Sequence, residues 1–221
     1  MKNAILKQKA ERDKLLSMEY LERVANGMAT SYLPSKLIKL ITGPRRAGKS
    51  SLAVQMLKGK KFAYLNFDDN TLLSGFSEDT VEDLLDEIYP GYEYLLLDEV
   101  QNLNGWSLWV EKLYRRGMNL VITGSNANLL SDDIASVLSG RFLEIRIYPF
   151  SAREYLEHIT GAGNESLTDY AVYERYLNYG GYPEVALTPQ VTQGYLSSLY
   201  DSTLVQRKSS TTSIGRSGHI C

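Results

Sequence analysis

The chain has 221 residues, enough for one substantial hydrophobic core or for a core with a small satellite. Hydrophobic residues make up 43% and charged residues 23%, ordinary globular values that exclude a disordered or membrane-embedded class. Lys and Arg total 24 against 26 Asp and Glu, so no overall positive field recruits nucleic acid or an anionic membrane, and only a local basic patch stays open.

In chain order, residues 2 to 24 set Ile5, Leu15, Leu16, Tyr20, Leu21 and Val24 among dense Lys and Glu, which predicts an amphipathic helix ahead of the core. Helix and linker together occupy residues 1 to 30. The opening "MKNAILKQKAERDKLL" is too charged for a signal peptide. No stretch reaches the ~20 apolar residues of a membrane helix, so no membrane partner is expected and the expected location is the cytoplasm.

Residues 31 to 149 form the predicted core. Five apolar runs of strand length occur there: "KLIKLIT" (36 to 42), "KFAYLNF" (61 to 67), "YEYLLLDE" (92 to 99), "NLVITGS" (119 to 125) and "FLEIRIYP" (142 to 149). Runs apolar on both faces suit a parallel sheet. Helical patterns separate most of them. "TVEDLLDEIY" opens on a Thr80/Asp83 capping pair, "GWSLWVEKLYRR" puts Trp106, Trp109, Val110 and Leu113 on one face, and "ANLLSDDIASVLSG" ends on a glycine. Strand alternating with helix predicts an α/β fold with a doubly wound parallel sheet.

From residue 150 to about 205 the patterns are helical, with no convincing strand, which predicts a small helical lid subdomain whose tyrosines serve packing. Residues 206 to 221, "QRKSSTTSIGRSGHIC", lack periodicity and are expected to be a flexible tail. The tail holds the one cysteine, Cys221, which excludes an internal disulfide framework and suits a reducing compartment. His219 beside it makes a poor metal pair on a loose end.

Four places carry chemistry. "GPRRAGKS" matches G-x-x-x-x-G-K-[ST] between a strand and a helix. Its glycines let backbone N–H groups turn toward phosphate oxygens, and the next helix offers its positive end. Residues Gly43, Pro44, Arg45, Arg46, Ala47, Gly48, Lys49, Ser50 and Ser51 are therefore the candidate phosphate cradle. Lys49 is expected on the β- and γ-phosphates and the Ser50 hydroxyl on Mg²⁺. In "LLLDEV", Asp98 and Glu99 end an apolar strand, where ligands bind in parallel sheets. Asp98 suits a metal partner and Glu99 a residue that polarises water for attack on a γ-phosphate. In "VITGSNAN", either Asn126 or Ser125 is a candidate for holding that water; the alternative is an ordinary helix cap. In "LSGRF", Arg141 is either a guanidinium that stabilises a transferring phosphoryl group, in a neighbouring subunit, or a surface arginine after a glycine cap.

These motifs in order, "GPRRAGKS", "LLLDEVQNLNGW", "ITGSNANLL", "LSGRF" and "YPFSAREYL", resemble the AAA+ superfamily. More closely, they are similar to the prokaryotic AAA-type ATPases whose P-loop reads G-x-R-R-x-G-K-[ST] and whose C-terminal domain is uncharacterised. The resemblance covers about residues 5 to 204. It implies a five-stranded parallel sheet ordered 5-1-4-3-2 with a helical lid, ATP and Mg²⁺ as ligands, Asp98 and Glu99 as the Walker B acids, Asn126 as sensor 1 and Arg141 as an arginine finger. "GGYPEVAL" corresponds to a lid motif of the same family. Relatives continue into a further domain where this chain switches to "QRKSSTTSIGRSGHIC", so a truncated or frameshifted product is expected.

The function expected is ATP hydrolysis coupled to conformational change. A kinase passing the γ-phosphate to a small acceptor suits the acid pair less well than water does, and a third reading is a nucleotide-dependent switch or DNA-associated regulator with little turnover. A homo-oligomer sharing Arg141 in trans and an unidentified protein or DNA partner are the partner classes expected.

Overall fold

The computed structural model describes residues 1–125, 137–161, 169–188, 190 and 194–200. Five strands, β1 (Ile38–Gly43), β2 (Phe62–Asn66), β3 (Tyr94–Asp98), β4 (Asn119–Ser125) and β5 (Phe142–Arg146), form one sheet in the order β2-β3-β4-β1-β5. Every pairing is parallel. This is the expected 5-1-4-3-2 order read from the other edge.

The described helices include α1 (Lys2–Ser17), α2 (Val24–Ser31), α3 (Lys49–Met56), α4 (Asn70–Leu73), α5 (Glu78–Ile88), α6 (Trp106–Arg115), α7 (Ala152–Gly161), α8 (Asp169–Tyr179) and α9 (Pro183–Leu187), and residues 194–200 are helical as well. A short 3₁₀ turn spans Val100–Asn102. Strand alternation splits the core across the sheet. Ile38, Leu40, Leu95, Leu97, Leu120 and Ile122 pack with α5 and α6 on one face. Ile41, Leu96, Val121 and Ile145 pack with α2 and α3 on the other. All six residues of β1 are buried, which explains its unbroken apolar run.

The N-terminal helix departs from the sequence reading in two ways. It ends at Ser17, and residues 18 to 23 form a connector to α2. It is also part of the core rather than ahead of it, since Ile5 is fully buried within the larger cluster. The physical reason lies in β2, an edge strand of the sheet. Gln8 accepts from Asn66 N (3.0 Å) and donates to Asn66 O (3.0 Å), and Arg12 donates to Phe62 O (2.6 Å). Helix α1 thus satisfies the backbone groups that the last strand leaves unpaired.

Two smaller expectations are refined. Helix α5 starts two residues before Thr80, at Glu78, with Ser77 as its N-cap, and Thr80 Oγ1 donates to Ser77 Oγ at 3.3 Å. The expected face of α6 is buried at all four positions, Trp106, Trp109, Val110 and Leu113. Most of the helix expected over 127 to 140 lies outside the described residues, as do His219 and Cys221.

After β5 the described elements are helical. Phe150, Tyr155, Val172 and Ala186 make a small separate cluster. "GGYPEVAL" joins it through Gly181, whose carbonyl accepts from Phe150 N at 2.6 Å. A Cβ at Gly181 would stand 2.1 Å from Phe150 O, so only glycine allows this backbone contact.

Candidate functional site

Strand β1 ends at Gly43 and α3 begins at Lys49, with the loop between them on the carboxyl edge of the sheet. Gly43 has φ 154°, and a Cβ there would lie 2.1 Å from Ile147 O. Arg46 (φ 61°) and Gly48 (φ 94°) are left-handed, while Ala47 between them is not. Backbone that alternates hand in this way turns successive N–H groups toward one concave point, an anion nest. Helix α3 then adds its free N–H groups and positive end, with Lys49, Ser50 and Ser51 in its first turn.

Lys49 is buried, donates to Pro44 O at 3.2 Å and pairs with Glu99 Oε1 at 3.2 Å. Its ammonium therefore spans the loop and the acid pair. Arg45 and Arg46 are exposed, and the Arg46 guanidinium rests 5.2 Å from the centre of the Tyr195 ring.

Asp98, the last residue of β3, is buried among hydroxyls. Oδ1 accepts from Ser50 Oγ (2.8 Å) and from Thr123 Oγ1; Oδ2 accepts from the Tyr64 hydroxyl (3.2 Å). Burial pushes the Asp98 carboxyl above its ordinary range, opposed by the Thr123 and Ser50 hydroxyls. Burial, with Asp98 as its neighbour, also pushes the Tyr64 phenol far up, so it stays a donor. A carboxylate has about four lone-pair positions; two hydroxyls occupy those of Oδ1 and one hydroxyl a position of Oδ2, so a cation would use the remaining position on Oδ2 or displace a hydroxyl from Oδ1. This all-oxygen set fits a hard ion such as Mg²⁺, which needs few protein ligands when phosphates and water complete its shell. Among the described residues no group of three or more His, Cys, Asp or Glu forms a denser metal site.

Glu99 has φ 50°, a left-handed conformation that costs a non-glycine residue about 1–3 kcal/mol. The turn is held by its N–H donating to Thr123 Oγ1 at 3.0 Å and by Gln101 Nε2 donating to its carboxylate. The same loop presents Glu99 to Lys49.

The two remaining sequence candidates stand differently. Asn126 lies outside the described residues, while its alternative, Ser125, sits beside Gly43 in the β4–β1 register. Arg141 is not brought to this site. It precedes β5, its carbonyl accepts from Ile38 N at 2.9 Å, and its guanidinium pairs with Glu111 at 2.6 Å and Val137 O at 2.9 Å. That is the edge where the strands begin, roughly 16 Å of strand away from the phosphate loop.

Sequence reasoning missed Thr123, Tyr64 and Arg23. Thr123 lay within a quoted motif, and parallel pairing of β3 with β4 would have set it beside Asp98. Tyr64 reads as an ordinary core aromatic in an apolar strand. Arg23 reads as part of a charged helix, yet it is buried and donates to Ala47 O of the phosphate loop at 3.0 Å. Next to it, a cavity of about 690 Å³ is lined by Met18, Tyr20, Gly48, Ser51, Gln55 and Pro183, among others.

Sheet order, glycine loop and buried carboxylate together define a P-loop nucleotide-binding protein. The AAA domain family matches residues 35–156, more than half of the chain, and the chain belongs to that family. It is 37% identical over 179 residues to an uncharacterized protein of Haemophilus influenzae, covering 75% of this chain and 44% of that protein. It is 31% identical over 194 residues to the uncharacterized protein MJ1544 of Methanocaldococcus jannaschii, covering 80% of this chain and 44% of the relative. The chain thus spans less than half the length of these curated relatives.

Among solved structures, the Walker-type ATPase PABY2304 of Pyrococcus abyssi superposes with a TM-score of 0.57 at 16% identity, covering 90% of this chain and 77% of that one. AMPPCP-bound DnaA from Aquifex aeolicus does so with a TM-score of 0.50 at 17% identity, covering 83% and 63%. At such identities the likeness is one of fold. Among the described residues no helix is long and apolar enough to cross a membrane.

Proposed function

We propose that the chain binds Mg²⁺-ATP and hydrolyses it as an AAA+-type ATPase module, coupling hydrolysis to movement of the helical region after residue 150. The observation that carries this reading is the convergence of Lys49 on Glu99 (3.2 Å) and of Ser50 on Asp98 (2.8 Å), which joins the first turn of α3 to the end of β3 although Ser50 and Asp98 are 48 residues apart.

In this reading the N–H groups of residues 43 to 51 hold the phosphates, and the cavity beside Gly48 takes the base. Phosphate oxygens compete for the Lys49 ammonium, so binding ATP releases Glu99 from its ion pair. The freed carboxylate then accepts a proton from water as the water oxygen bonds to the γ-phosphorus and the bond to the β,γ-bridging oxygen breaks. Asn126 would help hold that water. Ser50 and Asp98 would hold Mg²⁺, which supplies charge neutralisation on the phosphate oxygens when bound. Arg141, remote from its own site, would serve a neighbouring copy. A protein or DNA partner would use the resulting motion, and ATP turnover with and without DNA tests the second class.

Lys49→Ala is the direct test. Losing a charge-assisted contact to phosphate lowers ATP affinity about ten- to a hundredfold in calorimetric titration. Undiminished affinity in a folded variant overturns the assignment.

A further inference from the structure

We infer that Arg23 is a positioning residue for the phosphate loop: it sets the peptide between Ala47 and Gly48 so that the Gly48 N–H faces bound phosphate. The inference rests on the ATP-binding reading above and adds a residue outside the P-loop to it.

Arg23 ends the connector between α1 and α2 and is 7% exposed. Each of its three nitrogens donates a hydrogen bond. Nη1 donates to Ala47 O at 3.0 Å, Nη2 to Tyr148 O at 2.6 Å and Nε to Glu154 Oε1 at 2.9 Å. The guanidinium also lies 4.7 Å from the centre of the Phe150 ring. Glu154 is equally engaged, since it accepts from Ser151 N (2.8 Å), Ser151 Oγ (3.1 Å) and Val24 N (2.9 Å) as well as from Arg23. The buried charge is therefore paired with Glu154 and hydrogen-bonded at every guanidinium nitrogen, which offsets the cost of burying it.

The consequence for the loop follows from peptide geometry. A trans peptide points its C=O and N–H in opposite directions, and no cis bond occurs among the described residues. Drawing Ala47 O toward Arg23 turns the Gly48 N–H away from Arg23, to the loop's other side. Left alone this peptide would rotate readily, because glycine at 48 restricts φ so little. Glycine is nonetheless required there: the position is left-handed, and a Cβ would stand 3.3 Å from Arg23 Nη1. Arg23 thus supplies the rigidity that Gly48 lacks. Lysine would not replace it, because one ammonium does not meet three acceptors along a planar fork.

The test uses Arg23→Gln and Arg23→Lys, with ATP and inorganic tripolyphosphate titrated by calorimetry and the Gly48 amide followed by NMR. Losing a charge-assisted contact of this kind lowers affinity for both ligands about tenfold or more. The Gly48 amide resonance shifts on adding tripolyphosphate to the wild type and shifts much less in the variants. Should Arg23→Gln fail to fold, Arg23→Lys keeps the charge that Glu154 needs and is read in the same way. Wild-type affinity in a folded variant overturns the role. So does lost affinity with an unaltered Gly48 shift, or a wild-type Gly48 amide that ignores bound tripolyphosphate. A wild type that binds neither ligand overturns the ATP-binding reading itself, which separates the two failures.

Discussion

Glu99 holds a left-handed backbone with no glycine to ease it, and its turn is pinned by the Thr123 hydroxyl. A strained residue fastened this way points its side chain at one place, here the Lys49 ammonium. Glu99→Gln keeps the shape and removes the basic carboxylate. Phosphate release in single turnover is expected to fall about a hundredfold or more, with ATP affinity retained. A wild-type rate would remove Glu99 from the chemistry. Lys49, Ser50, Asp98 and Glu99 were legible in the sequence as candidates, because a motif of this kind is defined by side-chain type and spacing within short segments, and the fold brings Lys49 to Glu99 and Ser50 to Asp98. Thr123 and Tyr64 were not, because a hydroxyl in an apolar strand earns its meaning only from the carboxylate that strand register places beside it.

At the scale of elements, β1 shows how complete burial shapes a strand. It includes Lys39, fully buried, with its ammonium donating to Ser35 O. Burial, reinforced by nearby Lys36, pushes the Lys39 pKa down to about 8. The unfolded chain holds that proton up to about pH 10.4, so stability lost to the buried charge is recovered as pH rises from 8 toward 10. Lys39→Met is therefore expected to melt higher than wild type at pH 7, by a margin that shrinks between pH 8 and 10. Thermal melts across that range check it, and a constant margin would show that the charge is not the cause. The five strands and the face of α6 were legible because period and burial agree. The end of α1 was not, because residues 18 to 23 leave the helix for a tertiary reason: they carry Arg23 under the phosphate loop.

At the scale of the whole molecule, the phosphate loop and Arg141 occupy opposite edges of the sheet. One copy therefore does not bring its own Arg141 to its own phosphates. In the trans reading, Arg141→Ala binds ATP but hydrolyses it slowly, and mixing it with Lys49→Ala partly restores turnover. The rate measured against mixing ratio, at concentrations that support assembly, checks this; no recovery there counts against a shared site.

The glycine loop, the acid pair and the alternation of strand and helix can be read from residues alone, because each depends on dihedral preference and side-chain chemistry within a few neighbouring positions. The tertiary structure decided how Asp98 is held, what α1 covers and where Arg23 ends. Those outcomes join residues far apart in the chain, 131 positions in the case of Arg23 and Glu154, and only the packing of the whole sheet and its helices brings them within bonding distance.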